Sequence, residues 1–142
     1  MDLETFKGII QKVKSPPLFA LEHDRIPTME AILDFQKQYH IVLPEKYIQF
    51  LLNFGGGYFG FTNIYSLDQD SYFFIFNRNP ATVNDLLFMA DNGCGDYYAF
   101  HVEGGRCSEK ILFCDHEDNT VRDTGFSDVF EYLVKTGLNR QS

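Results

Sequence analysis

Cysteine and histidine carry the most latent chemistry in this sequence. Cys94, His101, Cys107, Cys114 and His116 are the residue types that ligate zinc or form a thiolate–imidazole pair. Their spacing argues against both. No two cysteines stand in CxxC spacing, and only Cys114 and His116 are close, two residues apart, where a strand would point them the same way. Cys114 ends the apolar run Ile111-Leu112-Phe113, where a thiol behaves as a small hydrophobe. Cys94 lies between Gly93 and Gly95 in a glycine turn, and no Gly-x-Ser-x-Gly elbow offers another nucleophile. Three cysteines are an odd, sparse set, which is no disulfide framework and fits the reducing cytosol. The expectation is a chain with no metal, no cofactor and no catalytic residue.

Two further clusters suggest ligand chemistry and fail on order or spacing. Gly55-Gly56-Gly57-Tyr58-Phe59-Gly60 is glycine-rich, but it follows a predicted helix and leads into a predicted strand. A phosphate loop needs the opposite order, with a helix N-terminus facing the anion. Asp115, Glu117 and Asp118 lack the alternating acids, central glycine and distal glutamate of a calcium hand. A solvated hairpin turn accounts for them.

Acidic residues are unevenly distributed. The formal net charge is −8. Residues 1–66 contribute seven acids and six bases, whereas residues 67–142 contribute thirteen acids and six bases. The C-terminal half therefore carries nearly all of the negative field. Such a field repels phosphate backbones and disfavours nucleic acid as a ligand, while it attracts a basic protein and speeds encounter with it.

The elements that would hold these groups follow from periodicity. Leu3, Phe6, Ile10 and Val13 predict a helix over 2–14 capped by Asp2 and stopped by Ser15-Pro16-Pro17, with residues 18–27 irregular. Thr28 caps a second helix running to Tyr39, and Pro44 opens a third as its first helical residue, with Tyr47, Ile48, Leu51 and Phe54 as its apolar stripe and Gly55 as a left-handed cap. From Gly57 the period changes to two. Strands are expected at Tyr58–Tyr65, Tyr72–Phe76, Leu86–Ala90, Tyr97–Val102 and Lys110–Cys114, with Thr120–Asp123 as a last short one and 77–85 as a loop or helical turn. A closing helix spans Ser127–Thr136 with Gly137 after it. Helices, then strands, then a helix define an α+β class: a single domain over 1–142, with a mainly antiparallel meander of five or six strands flanked by N-terminal helices and a C-terminal helix. No apolar run approaches the roughly 20 residues that span a bilayer, and the first residues lack the pattern of a secretion leader, so a cytoplasmic protein is expected.

Three segments, in this order, carry a resemblance. Ile41-Val42-Leu43-Pro44-Glu45-Lys46-Tyr47-Ile48-Gln49-Phe50-Leu51-Leu52-Asn53-Phe54-Gly55-Gly56 is followed by Met89-Ala90-Asp91-Asn92-Gly93-Cys94-Gly95-Asp96-Tyr97-Tyr98-Ala99-Phe100. The third is Phe113-Cys114-Asp115-His116-Glu117 with Phe126-Ser127-Asp128-Val129-Phe130-Glu131-Tyr132-Leu133. Together they resemble the SUKH superfamily of Smi/Knr-like domains: its Leu-Pro-acid-x-Tyr helix ending in Gly-Gly, its Gly-x-Gly-Asp turn, and its Asp-His-acid turn before a closing helix. The resemblance spans about Thr28 to Val134. It departs from the family at His101, where an acidic residue is usual.

For bacterial members the resemblance implies an immunity protein: a cytosolic, non-catalytic partner that binds and neutralises a polymorphic or contact-dependent toxin domain, often a nuclease. The alternative that it leaves open is a general interaction or regulatory module of the Smi/Knr type with no toxin partner. The charge distribution is compatible with a basic nuclease as partner, with no membrane or direct nucleic-acid binding, and with a monomer or weak homodimer. Leu43, Pro44, Tyr47, Leu51, Gly55, Gly95, Asp96 and Phe130 read as caps, turns and core. Partner contacts are expected instead on exposed loops: Asp68, Asp70 and Tyr72 in one, Asp115, Glu117 and Asp118 in another, with Tyr98 as a second aromatic anchor.

Overall fold

The computed structural model describes residues 1–12, 24–79 and 85–138. Four helices and six strands follow the predicted order. The helices are α1 (Leu3–Gln11), α2 (Met29–Tyr39), α3 (Glu45–Phe54) and α4 (Val129–Tyr132), the last continuing as a wide π-type turn over Leu133–Gly137. The strands are β1 (Gly57–Phe59), β2 (Thr62–Ile64), β3 (Leu86–Asp91), β4 (Tyr97–Glu103), β5 (Arg106–Cys114) and β6 (Val121–Asp123). They form one antiparallel sheet in sequence order. The α+β meander read from the sequence is the fold.

Local differences have physical causes. α1 ends at Gln11, short of the expected 14; Val13, the Ser15-Pro16-Pro17 stop, residues 18–23 of the expected irregular connection and residues 80–84 of the 77–85 loop lie outside the described residues. Pro44 precedes α3 as its N-cap rather than opening it, with φ −61° and ψ 141°. The proline ring has no polar atom to cap with, so Glu109 of β5 supplies the carboxylate, its Oε2 accepting from the Glu45 amide at 2.8 Å. The expected strand 58–65 is a hairpin: Gly60, at φ 58°, turns the chain between β1 and β2. An added Cβ there would lie 2.1 Å from the Gly137 carbonyl oxygen. Aromatic residues 72–76 form no sheet strand. Ser66 and Phe74 make an isolated bridge, and Ile75–Asn77 form a single 3-10 turn, because Phe73, Phe74 and Ile75 are all buried and a half-exposed strand would wet every second one. Gly55 has the positive φ expected, 74°, but its ψ of 176° is extended rather than helical. His40 takes the left-handed cap of α2 at φ 54° and ψ 45°.

The helices pack on one face of the sheet. Phe6 anchors α1 in a cluster of rings, stacked on Phe130 at 4.6 Å and edge-on to Phe54 at 5.6 Å. A register shift between Phe88 and Ala90 makes Met89 an extra residue in β3, and Met89 and Ala90 are both fully buried. Asp128 caps α4 by accepting from the Glu131 amide at 2.8 Å. Its other oxygen accepts from Lys46 Nζ of α3 at 2.9 Å and from the Met1 nitrogen at 2.8 Å. Burial alone would raise the Asp128 pKa, but these three donors outweigh it and hold the pKa below the usual value.

Tyr47 couples α3 to the sheet. It is fully buried, lies edge-on to Phe100 at 5.4 Å, and donates its hydroxyl to the Tyr65 carbonyl at 2.7 Å. Tyr47→Phe is expected to cost about 1–2 kcal/mol through the lost buried hydrogen bond, and Tyr47→Ala about 3–5 kcal/mol through the cavity. Urea unfolding curves of the three proteins check the order; equal stability of all three would remove α3 from the folding core.

Candidate interaction surface

Antiparallel order brings the β1–β2, β3–β4 and β5–β6 turns to one end of the sheet. Two of them are acidic, and a single contact locks them together. Asp96, closing the β3–β4 turn, accepts through Oδ1 from the His116 amide at 3.1 Å and pairs with His116 Nδ1 at 2.6 Å. Gly95 permits this approach: it has φ 97°, and a Cβ would meet the imidazole ring at 3.3 Å. The Gly-x-Gly-Asp and Asp-His-acid segments, some twenty residues apart in sequence, are therefore two halves of one structure.

The predicted contact residues fall into four groups. Asp115, Glu117 and Asp118 share the β5–β6 turn. Asp115 accepts from the Glu117 amide at 2.9 Å and faces Arg122 Nη2 at 3.4 Å. Asp118 accepts from the Thr120 amide and hydroxyl at 3.0 and 2.6 Å, and Glu117 and Asp118 are exposed. Asp68 and Asp70 lie in the connection between β2 and β3, at Arg25: Asp68 forms a two-pronged pair with the guanidinium at 3.1 Å for each bond, and Asp70 lies 3.6 Å from it. Asp70 remains 89% exposed, so its charge still faces solvent. Tyr72 is 72% exposed and carries the Arg78 guanidinium 4.1 Å over its ring.

Tyr72 is brought beside the acidic end; Asp68 lines a different hollow with Ile26 and Thr28, and Asp70 stands by it at Arg25. Tyr72 shares a cleft of about 300 Å³ with Tyr58, Arg78, Asp91, Gly95 and Tyr97 on the sheet face opposite the helices. Tyr98 points the other way. It is half-buried against Tyr132 at 4.5 Å and Phe113 at 5.3 Å, and this burial raises its hydroxyl pKa. Its neighbour Tyr97 is the aromatic that faces the cleft, stacked on Phe88 at 4.8 Å. Strand alternation carried that signal, since Tyr98, Phe100 and Val102 form the more apolar set. Asp91 had no such signal. It is the polar centre of this face, accepting from the Tyr65 hydroxyl at 2.6 Å, Asn63 Nδ2 at 2.7 Å and the Gly93 amide at 2.9 Å.

Metal and thiol chemistry can be weighed on geometry. Among the described residues, Asp96, Asp115 and His116 form the group whose ligand atoms lie within 4.8 Å of one another. Donor types suit a divalent cation, but the Asp96–His116 hydrogen bond already satisfies two of the three. No cysteine joins this group. Cys107 and Cys114 are buried, which pushes their thiols up to about 12 and about 11, away from the thiolate a nucleophile needs. Cys94 is exposed and unpaired with another cysteine. Among the described residues no helix is long and apolar enough to cross a membrane.

A six-stranded antiparallel meander with helices on one face and acidic turns at one end places the described residues in the α+β class. Residues 29–133 match the family model SUKH_6, described as "SMI1-KNR4 cell-wall", and the chain belongs to that family. A solved protein structure from Pseudomonas syringae pv. tomato has the same fold, with a TM-score of 0.69 at 17% identity over 97% of this chain and 100% of that one. No protein with a curated description matches.

The Asp96–His116 contact predicts a titration. The hydrogen bond to Asp96 favours the imidazolium, so His116 stands above its ordinary value of 6.5, and the same bond holds Asp96 below 3.8. The contribution to stability is therefore fully present between those two ordinary values. It is lost as pH rises through the folded His116 value, and again as pH falls through the folded Asp96 value. NMR titration of the His116 ring should give a pKa above 6.5, falling toward the ordinary value in Asp96→Asn. An unchanged titration in that variant would sever the two turns.

Proposed function

We propose that this chain is a non-catalytic immunity protein of the cytoplasm, binding and neutralising a basic toxin domain, most simply a nuclease, through the acidic turns of its sheet. Membership of the SUKH family supports a protein-binding role. The observation that carries the finer reading is the grouping of Asp96, Asp115, Glu117 and Asp118 around two locked turns, in the half of the chain that bears a net charge of −7. A nuclease grips nucleic acid with a basic face, and a fixed array of carboxylates can occupy that face in place of phosphates. Tyr72, at the neighbouring cleft, adds an exposed aromatic anchor. Asp68 and Asp70 extend the negative field beyond Arg25, and Tyr98 supports β4 from the packed side.

The description of the matched family model favours a second reading, a regulatory module acting on other partners. A large secreted protein with a variable C-terminus encoded next to this gene supports the first reading; its absence supports the second.

The charge hypothesis is tested by the triple variant Asp115→Lys, Glu117→Lys, Asp118→Lys against the toxin domain encoded next door. The association rate at low salt should fall by about one to two orders of magnitude, with a shallower salt dependence. An association rate and salt slope equal to those of the parent protein would take this turn out of the interface.

A further inference from the structure

Phe61 is the residue at the acidic end that folding does not explain. It is 72% exposed, as is Tyr72, and no other large hydrophobic among the described residues is more exposed. Gly60 and Phe61 are the two turn residues of the β1–β2 hairpin, with Gly60 at φ 58°. A glycine first in such a turn is normally followed by Asn, Asp or Ser, so the turn itself gives no reason for an aromatic ring. The core gives none either: Tyr58 and Phe59 pack in it and Phe61 does not. The backbone beneath the ring is nevertheless fixed, because the Phe61 amide donates to the Gly137 carbonyl at 2.8 Å in the turn after α4. A ring held out in water on an anchored hairpin loses little freedom when a partner covers it.

Phe61 stands next to the turns already described. Continued two residues toward the hairpin, the Asn63–Asp91 register sets Phe61 beside Gly93 in the β3–β4 turn. From β2 to the β5–β6 turn is three strand spacings, about 15 Å, which lies within the span of one protein interface. This end of the sheet is therefore aromatic at the β1–β2 side and acidic at the β5–β6 side. Arg122 and His116 pair with Asp115 and Asp96, whereas Glu117 and Asp118 are exposed and have no ion-pair partner among the described residues. The unpaired carboxylates select cations, and the ring selects apolar surface. We infer that Phe61 is the apolar anchor of this end, covered by a partner whose apolar side chains enclose the ring next to the lysines or arginines that meet Glu117 and Asp118. The inference rests on the proposed reading of the acidic turns as a protein interface, and it adds the residue that sets how long the partner stays. The charges govern approach, and the covered ring governs departure.

The probe is a library of random peptides displayed on phage and selected against the intact chain, with no toxin present. Selection should enrich sequences that set apolar residues beside Lys or Arg, and amide shifts should place the bound peptide at Phe61, Gly93 and Glu117. Phe61→Ser puts a residue suited to the turn in place of the ring, and its unfolding midpoint establishes that it folds. For an enriched peptide this variant should raise the dissociation rate about tenfold or more and keep the association rate within about twofold. Phe61→Tyr, which keeps the ring, should retain the slow dissociation. The triple variant Asp115→Lys, Glu117→Lys, Asp118→Lys should show the opposite split, with slower association. No enrichment, enriched peptides without a cationic residue, shifts mapped elsewhere, or dissociation unmoved by Phe61→Ser would each overturn the inference. So would concentration-dependent dimerisation abolished by Phe61→Ser, which would give the ring to a second copy of the chain. Because the selection needs no toxin, the two readings fail separately: peptides that bind as described by a chain that neutralises no toxin would remove the immunity reading alone, and a toxin held as firmly by Phe61→Ser as by the parent protein would remove this inference alone.

Discussion

Asp128 is 2% exposed, and its two oxygens accept from three donors in three parts of the chain: the Met1 nitrogen, Lys46 and the Glu131 amide. A carboxylate this deep is tolerable only when its donors arrive together. That requirement fixes where α3 and α4 begin relative to each other, and it sets the start of α1 against both. The Phe6 cluster then has one arrangement in which its rings fill the space between α1, α3, α4 and β1. A buried ion pair is weak evidence for stability, but it penalises alternative packings strongly, since any shift leaves a charge without its partner. The sheet is tied into the same unit by hydroxyls, Tyr47 donating to the Tyr65 carbonyl and Tyr132 sharing a hydrogen bond with Thr62.

With the helices held in this way, the sheet presents its turns at its two ends. The β3–β4 and β5–β6 turns are built almost entirely from side chains that accept from nearby amides: Asn92, Asp96, Asp115 and Asp118 each do so. These bonds order the turns while leaving carboxylate oxygens toward solvent. The result is negative charge on a rigid support, which favours fast and selective encounter with a basic surface over broad stickiness.

Much of this was legible in the sequence. The helical stripes of Leu3-Phe6-Ile10 and Tyr47-Ile48-Leu51-Phe54, and the period-two runs from Leu86 to Cys114, identified the elements and the meander because each repeats one spacing over several residues. The region from Gly57 to Asn77 was misread for the opposite reason. It is rich in aromatics, but one glycine at positive φ splits the expected single strand, and burial is continuous rather than alternating over Phe73–Ile75. The contacts that matter most at the candidate surface join residues far apart in sequence, such as Asp96 with His116, Arg25 with Asp68 and Glu109 with the start of α3. No local pattern announces such pairs. Only the ordered family segments hinted at the first of them. Asp128 was seen as part of a motif, but nothing in its neighbours indicated that it would be buried.

The central claim is that a rigid scaffold recognises a basic protein partner through its acidic turns without transforming it chemically. Hydrogen exchange measured by mass spectrometry on the chain mixed with the proposed toxin partner addresses this most directly. The account predicts saturable one-to-one protection of peptides spanning Asp91–Asp96 and Asp115–Thr120, little change in α1 or α4, and a toxin domain of unaltered mass. Protection confined to the helices, or a toxin domain recovered cleaved or covalently modified, would contradict it.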